Sequence, residues 1–149
     1  MTKQMPDRPI CLKIFSSPTH LAVVRGAVDG LCRSIGFEED CITRVVMSVD
    51  EALTNIIRHA YDGAVGQPID IELDWTRPPD GVRISIRDRG RCVGRECMPP
   101  PPRDKLQPGG LGLHIMSECM DRIEYSPAEG GGTVLTMVKR LEQDRRRER

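Results

Sequence analysis

Glu51, Asn55 and His59 sit four residues apart in the run Ser48–Tyr61. Four residues is about one helical turn, so on a helix their side chains stack along one face. A carboxylate at this spacing is suited to take a proton, and an amide oxygen one turn later is suited to a hard cation. Ile42, Val45, Val46, Val49, Ala52, Leu53, Ile56 and Ala60 recur at helical spacing through the same stretch, leaving another side of the helix to face a core. Alone, a Glu and an Asn one turn apart also fit a plain solvated face.

Three further motifs follow in chain order. Asp88–Arg89–Gly90 comes directly after the strand-like run Val82–Arg87. Pro108–Gly109–Gly110–Leu111–Gly112–Leu113 opens a helix-like run that ends near Met120, and exposed N–H groups at such a start bind phosphate. Gly131–Gly132–Thr133 leads into the apparent strand Val134–Val138. There is no Lys in the Gly-rich turn, which excludes a Walker A loop.

This order resembles the Bergerat-type (GHKL) ATP-binding fold shared by gyrase, Hsp90, histidine kinases and MutL. The wording Asp50–Glu51–Ala52–Leu53–Thr54–Asn55 followed by His59–Ala60–Tyr61 is most similar to the stand-alone anti-sigma-factor serine/threonine kinases. The resemblance spans about residues 10–141. It implies Glu51 as catalytic base, Asn55 as the Mg²⁺ ligand, and Asp88 as acceptor for the exocyclic amine of adenine. Gly90 and Gly94 would shape the purine loop, and Gly109, Gly110, Leu111, Gly112 and Leu113 the phosphate turn. Thr133 would help order the base or its waters. ATP and Mg²⁺ are the implied cofactors; a sigma factor and a small antagonist of the anti-sigma factor are the implied partners, with a homodimer as the implied assembly. Arg58 and His59 border the metal helix, where a structural role competes with a role in the site. The family's Asp-x-Gly-x-Gly is altered here to Asp88–Arg89–Gly90–Arg91–Cys92, with the next glycine at Gly94. That departure keeps open a second reading, a nucleotide-gated module that sequesters a regulatory partner without phosphoryl transfer. A scaffold that kept the fold without the nucleotide is the third. Histidine kinases need a phospho-acceptor hairpin, and gyrase and Hsp90 need large extra domains; this sequence supplies neither.

With 149 residues the chain suits one domain with a two-layer core. The 22 basic and 22 acidic residues cancel, so no global charge favours nucleic acid or an anionic membrane. No apolar run nears the ~20 residues that span a bilayer, and Met1–Pro6 shows no apolar signal region, so a cytoplasmic location is expected. The six cysteines form no Cys-x-x-Cys pair. Cys11, Cys32 and Cys41 read as small apolar fillers. Cys92 and Cys97 with His114 match no zinc spacing.

The remaining patterns place the elements. A strand is expected over Ile10–Ser16, after a flexible segment 1–9. Ser17 as N-cap and Pro18 open a helix through Leu21, Val24, Val28, Leu31 and Ile35, closed by Gly36. Glu38, Glu39 and Asp40 favour the start of the next helix, which should run to about Tyr61. Alternation at Ile69, Ile71, Leu73 and Trp75, then at Val82, Ile84 and Ile86, predicts a hairpin. The four prolines 99–102 predict a loop from Arg95 to Pro108 that closes over nucleotide as a mobile lid, and 142–149 a charged tail. The expected class is an α/β (α+β) two-layer sandwich, a mixed and mostly antiparallel sheet with helices on one face.

Overall fold

The computed structural model describes residues 8–76, 80–91 and 110–141, with the side chains of 110–114 excepted. Five strands form one sheet: β1 (Ile10–Phe15), β2 (Pro68–Trp75), β3 (Gly81–Asp88), β4 (Arg122–Pro127) and β5 (Thr133–Arg140). Their spatial order is β1-β2-β3-β5-β4, and all four pairings are antiparallel. The mixed sheet expected from sequence is thus wholly antiparallel among the described residues. Helices α1 (Pro18–Ile35) and α2 (Glu39–Asn55) separate β1 from β2, and α3 (Gly110–Cys119) separates β3 from β4.

Strict alternation decides which face of the sheet is covered. Ile69, Ile71, Leu73 and Trp75 of β2 and Val82, Ile84 and Ile86 of β3 are buried, as are Leu135 and Met137 of β5. Against them pack Leu21, Val24, Val28 and Leu31 of α1 and Ile42, Val45, Val49, Ala52 and Leu53 of α2. Complete burial of each large side chain stabilises the fold by about 1.5–3 kcal/mol. Cys32 belongs to this core, and burial above all pushes its thiol up to about 12, helped by Cys41 and Asp29. Cys11, expected as a filler, is instead exposed on the far face, because β1 alternation turns it outward.

Helix ends differ in how closely they follow the sequence signals. Gly36 closes α1 in the left-handed region at φ 106°, with its N–H on the Cys32 carbonyl. Ser17 occupies the N-cap position with extended backbone, but its hydroxyl makes no cap bond. The second helix does not run unbroken to Tyr61: α2 ends at Asn55, and Ile56–Ala60 forms a π-helical turn. Its mark is the bond from Tyr61 N–H to the Ile56 carbonyl, five residues back, at 3.1 Å. The chain then reverses through Asp62 and Gly63, both at positive φ, as the turn signal there predicts.

Candidate functional site

The same alternation that fills the core also builds the site. On β3 the inward positions are Val82, Ile84, Ile86 and then Asp88; on β5 they are Thr133, Leu135 and Met137. Arg87 pairs with Val134 across the two strands, so Asp88 and Thr133 are the next step at the sheet's end. Both are buried, at 2 % and 3 % exposure. A carboxylate and a hydroxyl therefore sit where the apolar pattern would place two more aliphatic side chains.

Among the described residues, the Asp88 carboxylate is served by backbone N–H groups alone. Its Oδ1 accepts from the Gly90 N–H at 2.9 Å. Burial holds its carboxyl above the usual range, against the opposing pull of backbone N–H groups of Gly90, Thr133 and Asp88 itself. The Thr133 hydroxyl is buried and has no hydrogen-bond partner among the described residues. A buried orphan of this kind costs about 1–3 kcal/mol and marks a place for a ligand or an ordered water.

Two glycines make this corner by close approach. A β-carbon on Gly132 would stand 2.0 Å from the Asp88 carbonyl oxygen, and Gly132 also has φ +87°. On Gly90 it would stand 2.3 Å from the Ala60 carbonyl oxygen. Gly90 thus brings the loop after β3 against the end of the π-helical turn, a packing role that its expected place beside a base does not require. The Arg91 N–H donates to that same Ala60 carbonyl at 3.1 Å. Tyr61, buried, accepts from the Arg89 N–H at 2.7 Å and donates to the Pro68 carbonyl at 2.5 Å.

These residues border a cleft whose walls are Ala52, Asn55, Ile56, His59, Asp88, Tyr125, Thr133 and Leu135. Asn55, Asp88 and Thr133, distant in sequence, meet there, together with His59. Glu51 is half-buried one turn back on α2 and outside the cleft lining. Neither Glu51 nor Asn55 forms a side-chain hydrogen bond among the described residues. Gly110, Leu111, Gly112 and Leu113 form the first turn of α3, and α3 packs on α2. Gly94, Gly109, Cys92, Cys97 and the proline loop fall outside the described residues. Sequence reasoning quoted Gly132 and Tyr61 within its motifs but gave neither a role in the site, and it did not assign the apolar walls. Leu135 was recoverable as two positions beyond Thr133, and Ala52 and Ile56 as neighbours of Asn55 on the helix.

The cleft's chemistry fits an adenine. It offers a buried acceptor for an exocyclic amine, a hydroxyl without a partner among the described residues, and apolar walls for a ring. Guanine presents no amine at the corresponding position. Asn55, on the helix that forms one wall, brings an amide oxygen suited to a hard cation.

Comparison with known proteins shows the family. The family of the histidine kinase-like ATPase domain matches residues 14–139. The serine-protein kinase RsbW of Halalkalibacterium halodurans is 34% identical over 134 residues, covering 83% of this chain and 78% of the relative. The serine-protein kinase RsbW of Bacillus pumilus is 28% identical over 142 residues, covering 90% and 86%. Among solved structures, the RsbU and RsbW domains of Rv1364c from Mycobacterium tuberculosis superpose with a TM-score of 0.65 at 20% identity. That match covers 91% of this chain and 33% of the longer one, and it shows the shared fold. The chain belongs to the histidine kinase-like ATPase family, among the relatives of the RsbW serine-protein kinases.

Proposed function

We propose that this protein is an ATP-dependent serine/threonine kinase that phosphorylates a small antagonist protein in trans and, as an anti-sigma factor, binds a sigma factor. The observation that carries the nucleotide half is the meeting of Asp88, the orphaned Thr133 hydroxyl and Asn55 in one apolar-walled cleft. Asp88 accepts the adenine amine, and Thr133 bonds the base or a water beside it. The N–H groups at the start of α3 receive phosphate oxygens. Asn55 would hold Mg²⁺, whose charge would shield the phosphates when bound. A Mg²⁺ site made of one side chain plus phosphates needs no cage of acids. Among the described residues, no group of three His, Cys, Asp or Glu side chains gathers as one.

In the transfer step the acceptor hydroxyl oxygen forms a bond to the γ-phosphorus while the bond from that phosphorus to the β,γ-bridging oxygen breaks. The hydroxyl proton passes to the Glu51 carboxylate, and ADP leaves with the bridging oxygen. Glu51 lies beside the cleft without a bonded partner among the described residues, which leaves its oxygens available for that proton. No described helix is long and apolar enough to cross a membrane. We assign the kinase domain to residues 10–141 and place it in the cytoplasm, regulating transcription through its sigma factor and working as a homodimer.

The direct test is transfer of labelled γ-phosphate from Mg-ATP to a serine or threonine of a small antagonist protein of this family. Glu51→Ala should retain ATP binding and lose about 10²–10⁴-fold in transfer rate, the range for a removed general base. Transfer at the wild-type rate in Glu51→Ala would remove Glu51 from the chemistry. Nucleotide binding with no transfer by the wild type would leave the sequestering module in its place.

A further inference from the structure

Three consecutive residues after Asp88 are each fixed to the end of the π-helical turn. Arg89 gives its N–H to the Tyr61 hydroxyl, Gly90 packs too closely on Ala60 for any β-carbon, and Arg91 gives its N–H to the Ala60 carbonyl. Only the first of these ties runs through a side chain. A phenol oxygen has one proton to donate and lone pairs to accept with. Here the proton goes to Pro68, at the start of β2, and a lone pair receives Arg89. Tyr61 as a whole is 9 % exposed.

We propose that Tyr61 is a positioning residue for purine recognition: its hydroxyl sets the loop that carries Asp88, and through it the direction of the carboxylate in the cleft. The proposal rests on the reading of Asp88 as the adenine acceptor. Its basis is the order of the contacts. Asp88 Oδ1 bonds the Gly90 N–H, so the carboxylate is oriented by the backbone that Tyr61 holds at the preceding residue. The π-helical turn supplies the geometry. An extra residue in the last turn re-aims Ala60 and Tyr61 relative to α2, and both then meet the exit of β3. Asn55 ends α2 immediately before that turn, so one continuous backbone links the metal end of the site to the purine end.

Tyr61→Phe tests this cleanly, since the ring stays to fill its space and only the hydroxyl goes. The Arg89 N–H and the Pro68 carbonyl lose their partner, and the loop gains freedom. We expect the Kd for ATP to rise about five- to tenfold, the scale of one buried hydrogen bond left unmade. Binding of Mg-tripolyphosphate, which has the phosphates and no base, should be unchanged. In kinetics KM for ATP should rise while kcat at saturation holds. Hydrogen exchange read residue by residue in nucleotide-free protein should show lost protection at Arg89. A residue that only supports the fold would lower the melting temperature and the fraction of competent protein, moving both ligands together. Equal losses for ATP and tripolyphosphate, or an unchanged Kd for ATP, would overturn the role. So would unaltered protection at Arg89, which reads the latch without any nucleotide. Wild-type protein that binds no ATP overturns the functional reading itself, and that failure is visible before a variant is made.

Discussion

Strand β3 presents charge on both of its faces, in opposite ways. Outward, Arg83 pairs with Asp74 at 2.7 Å, and just past the strand Arg89 pairs with Asp70 at 2.8 Å. Both acids belong to β2, and both arginines are about half exposed. Inward, Asp88 is buried with no cation in contact among the described residues, held by backbone N–H groups. Surface pairs form where charge costs little, and they are worth little. A buried carboxylate left without a cation costs far more, and such groups cluster where a ligand or a reaction uses them. The contrast separates the paired, exposed charges of the outer face from the buried end of the sheet where the proposed purine site lies.

The largest effect expected on this contrast comes from the glycine that lets the inner corner close. Gly132→Ala forces a β-carbon into the Asp88 carbonyl and a non-glycine residue into positive φ. Strain and displacement together should cost about 2–4 kcal/mol by urea unfolding. Gly130 has a similar φ of +84° and open space around its α-carbon. Gly130→Ala should therefore cost only the backbone term, about 1–2 kcal/mol. Equal losses at the two positions would mean that the close approach to Asp88 is unimportant.

Asp88→Asn changes recognition more than stability. An amide in place of the carboxylate weakens the bond to the adenine amine, and ATP affinity should fall about 10–100-fold, the scale of a lost hydrogen bond to a charged group. The preference for ATP over GTP should shrink with it, by titration calorimetry in Mg²⁺. Stability carries a second signature. Because burial raises the Asp88 value in the folded state, the folded protein holds this proton to higher pH than the unfolded chain does. Its contribution is full below the ordinary value of 3.8 and is lost as pH rises through the raised value. The variant should show no such fall, so the difference in unfolding free energy should move in its favour across that window. A parallel pH profile in both proteins would contradict the burial argument.

Much of the inner corner was legible because it follows from period two and from motif order. Once Ile84 and Ile86 face the core, Asp88 must face it too, and the same holds for Thr133 ahead of Leu135 and Met137. Helix α2 was legible from its apolar spacing, and Gly36 from the stop it makes. The π-helical turn was not legible. Ile56 and Ala60 sit four apart, which suits the wider turn as well as an α-helix. Tyr61 and Gly132 were visible as letters within their motifs, but their contacts with Arg89 and Asp88 are remote in sequence. Such pairings depend on how strands and helix end meet, and local pattern does not encode that.

The smallest effect should come from the outer face, and it makes the comparison quantitative. Arg83 is half exposed and its bond to Asp74 Oδ2 is a single contact across the hairpin. Holding a long side chain in one geometry offsets most of the Coulomb gain there, and salt screens what is left. Arg83→Ala should therefore change unfolding free energy by less than about 0.5 kcal/mol, and less still in high salt. ATP affinity should be unchanged, because the side chain points away from the cleft side of the sheet. The double-mutant cycle with Asp74→Ala isolates the pair from other losses. A coupling as large as the Gly132→Ala loss, or a change in nucleotide binding, would mean that the two faces of β3 are mechanically linked and that the outer charges help set the direction of Asp88.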